Sequence, residues 1–425
     1  MKRSKKLNIG IYGPWGSGNL GDAAIQEAVI FNLKKKIQHL NIYGVSSDPE
    51  DTRIRHSIET FDSATVHITI KPNYPDKIKN SNIFYILIKA SNLFIKIIEL
   101  ILNIISEAIS LFKIFFILRH FNLLIISGGG QLDEIWGGPW MHPYMIFKWS
   151  FMAKLTKTII VFLSVGVGSL DSKFSRFFIK RALIYADYKS FRDQYSHNFI
   201  QDLGIKKNNG ICPDLAFSYP NRHIVNDVIR KNPKKLIGIS PISYSAWENE
   251  SQATYENYAQ SLLALTEYLL SKNYDILFFP TQESMDLPVI IKFEKLLNSK
   301  IINNKIKFLN VTKYFPIDQL LYEISKTDIV IASRLHAVLL SLFLCKPVIA
   351  ISSQNKVIHL MQDIGLDRYT IIPTQLNLNS LQDQIDQIEK HSGKISKNLN
   401  KKIEEFRMSL NNQYDILTSL IVKTF

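Results

Sequence analysis

The sequence predicts an α/β protein of two doubly wound, parallel-sheet domains facing a cleft. Three observations predict it. Short apolar runs alternate with amphipathic stretches through nearly the whole chain, the pattern of parallel strands joined by crossover helices. Glycine-rich turns follow several of these runs directly. The alternation breaks once, near 219–235, where Pro220-Asn221-Arg222 and Lys231-Asn232-Pro233-Lys234-Lys235 are polar and proline-broken, and then restarts.

In the first half, strands are expected at 7–12, 41–45, 65–70, 122–127, 158–164 and 188–191. In the second half they are expected at 235–240, 274–279, 306–311, 328–332 and 347–352. Helical patterns cover 22–36, 174–186, 254–271, 316–326 and 335–344, and a last helix runs through about 394–423 and crosses back toward the first domain. The division is therefore 1–225 for an N-terminal domain, 226–390 for a C-terminal domain, and 391–425 for a closing helix. Ligands in such sheets sit at the carboxyl ends of strands.

One insertion, about 83–119, departs from this rhythm. Its polar residues Lys89, Asn92, Lys96, Glu99, Asn103, Ser106, Ser110 and Lys113 recur every three or four positions. They form one narrow stripe on an otherwise apolar helix. No run of 18 apolar residues occurs, which argues against a spanning segment. Burial, self-association into an oligomer, and contact with a membrane surface through 89–113 are the three readings.

The chain has 425 residues, a formal net charge of +14 and 46% hydrophobic residues. That composition excludes global disorder, and the charge suits an anionic ligand or surface. No recognised nucleic-acid motif accompanies it, so no nucleic-acid partner is expected. Cys212 and Cys345 form neither a C-x-x-C pair nor a disulfide framework, so a reducing compartment is expected. The basic opening Met1–Lys6 leads into a strand pattern rather than an apolar signal core, which places the protein in the cytoplasm.

Five motifs carry chemistry. Gly13-Pro14-Trp15-Gly16-Ser17-Gly18-Asn19-Leu20-Gly21-Asp22 joins a strand to a helix; it is either a ligand-approach loop or a tight turn with Asp22 as cap. Ser127-Gly128-Gly129-Gly130 clears space at a strand end, and Trp136–Pro143 adds flat aromatics and His142. Ser164-Val165-Gly166-Val167-Gly168 reads as a cleft wall. Ser190-Phe191-Arg192-Asp193 and Pro213-Asp214 offer either an anion fork at Arg192 or an internal ion pair. The sharpest is Ser333-Arg334-Leu335-His336-Ala337 after the strand 328–332. Ser333 is expected to cap the helix, so that Arg334 and His336 stand in its first turn, where an anion is favoured.

Taken in order, these motifs resemble the polysaccharide pyruvyl transferase family. The resemblance covers roughly 9–360, and Lys356 fits a further position. It implies two Rossmann-like domains similar to GT-B glycosyltransferases, phosphoenolpyruvate as co-substrate with no cofactor or metal, and a pyruvate ketal on a cell-surface or exopolysaccharide saccharide as product. Arg334 and His336 match the family's donor-site residues, with Arg192 as a second donor arginine and Ser333, Leu335 and Lys356 beside them. His336, Arg334 and Asp22 are the expected catalytic residues, His336 as general acid. Gly18, Asn19, Gly21, Asp22, Gly129, Gly130 and His142 are expected on the acceptor side, for a free or lipid-linked saccharide. The alternatives are a GT-B-type glycosyltransferase using a nucleotide sugar, and a non-catalytic membrane-associated scaffold of envelope assembly.

Overall fold

The computed structural model describes residues 6–13, 16, 18–65, 68–69, 82–207, 209–220, 234–246, 250–298 and 305–424. The first half runs β1 (Leu7–Tyr12), α1 (Leu20–Lys36), β2 (Leu40–Ser46), α2 (Pro49–His56), β3 (Glu59–Asp62), α3 (Asn82–Arg119), β4 (Leu123–Ser127), α4 (His142–Thr156), β5 (Ile159–Val165), α5 (Lys173–Tyr185), β6 (Tyr188–Phe191), α6 (Gln194–Asp202) and β7 (Asn209–Ile211). The second runs β8 (Leu236–Ser240), α7 (Gln252–Ser271), β9 (Asp275–Phe278), α8 (Glu283–Asn298), β10 (Ile306–Phe308), α9 (Ile317–Ser325), β11 (Ile329–Ala332), α10 (Leu335–Phe343), β12 (Val348–Ile351), α11 (Asn355–Ile364), β13 (Thr370–Ile371) and α12 (Leu378–Thr424).

The strands form two separate parallel sheets. Their orders are β3-β2-β1-β4-β5-β6-β7 and β10-β9-β8-β11-β12-β13. In each, strand order reverses beside the first strand, at β1/β4 and at β8/β11, which makes a switch-point crevice at the carboxyl ends. Central strands are buried along their whole length, as in β4 and β5, because helices cover both faces. The helix starts are set by short polar caps: Asn19 for α1, Asp48 for α2, Ser172 for α5, Asp193 for α6 and Ser251 for α7.

The strand expected at 65–70 lies partly outside the described residues; the third strand of the first sheet is Glu59–Asp62. Helix α12 starts earlier than its apolar pattern suggests. Near its start, Glu389 accepts a hydrogen bond from the Tyr274 hydroxyl at 2.8 Å. Near its end, Arg407 donates to the carbonyls of Phe217 and Tyr219, and Gln413 donates to Ser164 at 3.1 Å. The helix therefore clamps both sheets.

Of the three readings of α3, burial of the whole helix does not hold. The middle of its polar stripe faces the protein: Glu107 accepts from Tyr144 at 2.8 Å and pairs with buried Lys148 at 3.1 Å, and Asn103 exchanges two hydrogen bonds with the backbone of Ile68, while Lys96 and Lys113 are exposed. Its apolar face points outward. Among its described residues only the last turns, through Ile114, Ile117 and Leu118, enter the core. Burial of the whole helix is thus corrected, because the stripe that could bond the body is the polar one. Residues Ser91–Arg119 are also long and apolar enough to cross a membrane, with mean hydropathy 2.0.

Candidate active site

The two switch points meet directly. Leu20 N–H donates to the Thr281 carbonyl at 2.9 Å and Glu283 N–H to the Gly18 carbonyl at 3.1 Å. The turn after β1 is thereby stitched to the β9–α8 turn of the other sheet. Gly18 and Asn19 join the two halves rather than line open space. The Asn19 side chain caps α1 by accepting from the N–H groups of Gly21 and Asp22, and it donates to the Asp22 carboxylate at 2.6 Å. Asp22 therefore belongs to the first turn and is not the cap.

Across this seam, His336 Nε2 lies 3.6 Å from Asp22 Oδ1. The imidazole packs over Gly21, where a Cβ would stand 1.9 Å from its Cγ; no side chain fits there. Three cations surround the pair. Arg192 leaves the end of β6 beneath Gly166, whose missing Cβ makes room for the guanidinium. It holds Asp193 and Asp214 at 3.4 and 3.5 Å. The internal ion pairing weighed from the sequence is thus present, to both acids, and both contacts are long. Arg334 holds Asp286 through its Nε at 2.5 Å, while one terminal nitrogen is buried with no hydrogen-bond partner among the described residues. Lys356, on the first turn of α11, lines a cavity of about 230 Å³ together with Arg192, Asp214, Leu335, Asp363 and Phe406.

Burial decides the protonation of the pair. It pushes Asp22 up to about 7, helped by the charge of Asp214 and opposed by Lys356, Arg192 and Arg334. It pushes His336 down to about 3, and the same three cations add to that. Without an anion bound, the imidazole is neutral and any proton of the pair sits on Asp22. A pocket with three cations, a neutral imidazole and the open N–H groups of a helix start is built to receive a multiply charged anion. The first-turn donors there belong to Leu335, His336 and Ala337.

Ser333 does not cap α10. Its hydroxyl is buried against the Tyr258 hydroxyl at 2.8 Å, and Arg334 occupies the cap position with extended backbone. Gly129 is buried and accepts a hydrogen bond from Gly166, whereas Gly130 is exposed with open space above it. His142 opens α4. It stacks on Tyr12 at 6.4 Å between centroids, and burial pushes it down to about 4 against a hydrogen bond with the Gln131 backbone. Trp136 and Trp140 are exposed. Sequence reasoning missed Asp286, which is fully buried and also accepts from the N–H groups of Thr281 and Gln282. The run Pro280-Thr281-Gln282-Glu283-Ser284-Met285-Asp286 after a strand was its only signal, and that reads as an ordinary helix start.

A family model, polysaccharide pyruvyl transferase, matches residues 19–355. The chain belongs to the polysaccharide pyruvyl transferase family. It is a transferase, and the matched span contains Asp22, Arg192, Asp286, Arg334 and His336, while Lys356 falls one position past its end. No curated protein matches the chain. Among solved structures it is similar to a UDP-GlcNAc 2-epimerase from Methanocaldococcus jannaschii, at 12% identity and TM-score 0.53, covering 98% of this chain and 100% of that one. It is also similar to a glycosyltransferase from Rickettsia africae, at 12% identity and TM-score 0.54, covering 99% and 100%. A further UDP-N-acetylglucosamine 2-epimerase aligns at 10% identity and TM-score 0.54, covering 97% of each chain. At these identities the likeness establishes the architecture, which is GT-B-like.

Proposed function

We propose that the protein transfers pyruvate from phosphoenolpyruvate to two hydroxyls of a saccharide as a ketal, in the biosynthesis of a cell-surface or exopolysaccharide. The observation that carries this reading is the convergence of Arg192, Arg334 and Lys356 on the Asp22–His336 pair at the seam between the sheets. Phosphoenolpyruvate brings a phosphate and a carboxylate three bonds apart, and that charge needs more than one cation.

Arg334 holds the phosphate with its unpartnered nitrogen, beside the first-turn N–H groups of α10, and Arg192 holds the carboxylate. Lys356 completes the charge balance. The donor's charge raises the affinity of His336 for a proton, reversing the preference of the empty site. His336 then donates that proton to the C3 methylene as C2 becomes electrophilic. One saccharide hydroxyl adds to C2 and returns its proton to the imidazole, with Asp22 orienting the hydroxyl. The C2–O bond to phosphate breaks, the second hydroxyl closes the ring, and its proton leaves with the phosphate. The acceptor enters from the side of Gly129, Gly130 and His142, as a free or lipid-linked saccharide, and the reaction runs in the cytoplasm.

The test is phosphate release from phosphoenolpyruvate in the presence of candidate acceptors, with nucleotide sugars as the competing donors. Donor-dependent phosphate release and a mass gain of one ketal-linked pyruvate support the reading; nucleotide release overturns it. His336→Ala should lose at least about 100-fold in turnover, the lower range for a general acid. Wild-type turnover in that variant removes the acid role. Arg334→Ala should raise the KM for phosphoenolpyruvate, and an unchanged donor affinity would count against the phosphate clamp.

A further inference from the structure

We propose that the outer face of α3, α4 and α5 is a docking surface for an anionic lipid bilayer, on which the first domain lies without α3 crossing it. The inference goes beyond the transfer reaction and does not depend on its substrates.

The helices form one layer over the first sheet, with α4 packed between α3 and α5. On α3 the exposed residues recur at helical spacing: Leu93, Ile97, Leu100, Ile104 and Phe112. Leu100 is 61% exposed, Ile104 60% and Phe112 67%. The outward ridge continues onto its neighbours through an aromatic chain. Phe147 meets Phe151 at 5.9 Å and Phe177 at 6.4 Å, and Trp140 meets Phe174 at 5.6 Å. Soluble monomers rarely leave so continuous an apolar face uncovered.

The surrounding charge identifies what covers it. Helix α5 carries Lys173, Arg176, Lys180 and Arg181, all exposed, and no carboxylate; α4 adds exposed Lys154. Of the two acids on α3, Glu107 is turned inward onto Lys148 and Tyr144 and Glu99 is half-buried. An apolar face with tryptophan and phenylalanine, bordered by cations, matches the boundary layer of an anionic membrane. A second copy related by twofold symmetry would set the cation-rich face against itself. Spanning is opposed by the fixed side of the helix. Asn103, Glu107 and Ser110 are bonded to the domain, and Ile114, Ile117 and Leu118 belong to its core.

The geometry also links this face to the saccharide side. His142 opens α4, and the exposed Trp136, Trp140 and Met141 immediately precede it. An acceptor anchored in the bilayer would thus be presented from the same helix that carries the docking face.

The experiment is vesicle flotation of the full chain without substrates, using phosphatidylcholine vesicles alone or mixed with phosphatidylglycerol. Binding should require phosphatidylglycerol and weaken as salt is raised. Arg176→Ala/Lys180→Ala/Arg181→Ala should weaken it on the order of 100-fold, from the contribution of each basic side chain near an anionic surface. Leu100→Gln/Ile104→Gln/Phe112→Gln should abolish binding while phosphate release with a water-soluble acceptor stays at the wild-type rate. Protein that stays unbound with phosphatidylglycerol vesicles overturns the proposal. So does a dimer in solution that the α3 variant dissolves without any vesicle binding, which assigns the face to a second copy. Failure of pyruvyl transfer would leave the flotation result standing, so the two readings fail separately.

Discussion

Replacing Asp22 by Asn and His336 by Gln separates two opposed proton linkages. The Asp22 carboxyl titrates at about 7 in the folded protein against an ordinary 3.8. In between, the folded protein keeps a proton that the unfolded chain has released. The stability this contributes is complete below the ordinary value and is lost as the pH rises through the folded one. His336 runs the other way, at about 3 against 6.5. There the unfolded chain holds the extra proton, so its contribution is complete above the ordinary value and is lost as the pH falls through the folded one. Both slopes act between about pH 4 and 6.5, each worth about 1.4 kcal/mol per pH unit, and they nearly cancel in the wild type. Asp22→Asn removes one and unmasks the other. Its stability relative to wild type should rise with pH, by about 3 kcal/mol over that window. His336→Gln should show the mirror image, losing ground to the wild type as the pH rises. Urea unfolding followed by circular dichroism across the window reads both curves. Difference curves that stay flat for both variants would show that neither group carries a shifted proton, and the electrostatic account of the site would fall.

Two further substitutions probe how the pair is held. Gly21→Ala puts a methyl group 1.9 Å from the His336 ring carbon, so the imidazole must move; a displacement of that kind should cost about 100-fold in turnover with an unchanged circular dichroism spectrum. Full activity would mean that the reaction does not use the imidazole where it stands. Asp286→Asn removes the charge that fixes Arg334 at 2.5 Å. The KM for phosphoenolpyruvate should rise on the order of 10-fold with a smaller change in kcat, and Asp286→Glu should restore part of it. Equal losses in both variants, confined to kcat, would remove the positioning role.

Much of the architecture is legible along the chain. Central strands such as Leu123–Ser127 and Ile159–Val165 are continuous apolar runs because both faces of a parallel sheet are covered. The short edge strands Glu59–Asp62, Asn209–Ile211 and Thr370–Ile371 escape notice because an edge needs little apolar surface. The Arg334–His336 motif is visible because a guanidinium and an imidazole lie within four positions of a strand end. Asp286 is invisible, being 48 residues from the arginine it holds, in a turn with no unusual composition.

The sequence by itself determined the alternating α/β order and the family to which the chain belongs. It also determined that one face of α3 is polar and the other apolar, since that is a matter of spacing. Only the tertiary structure decided which of those faces meets the protein, because Lys148 and Tyr144 on α4 select the polar one by hydrogen bonding to Glu107. Likewise only folding brings Asp22 from one sheet to His336 of the other. Spacing encodes what a segment can bury, whereas proton affinity depends on which distant charges and apolar walls close around a group once it is buried.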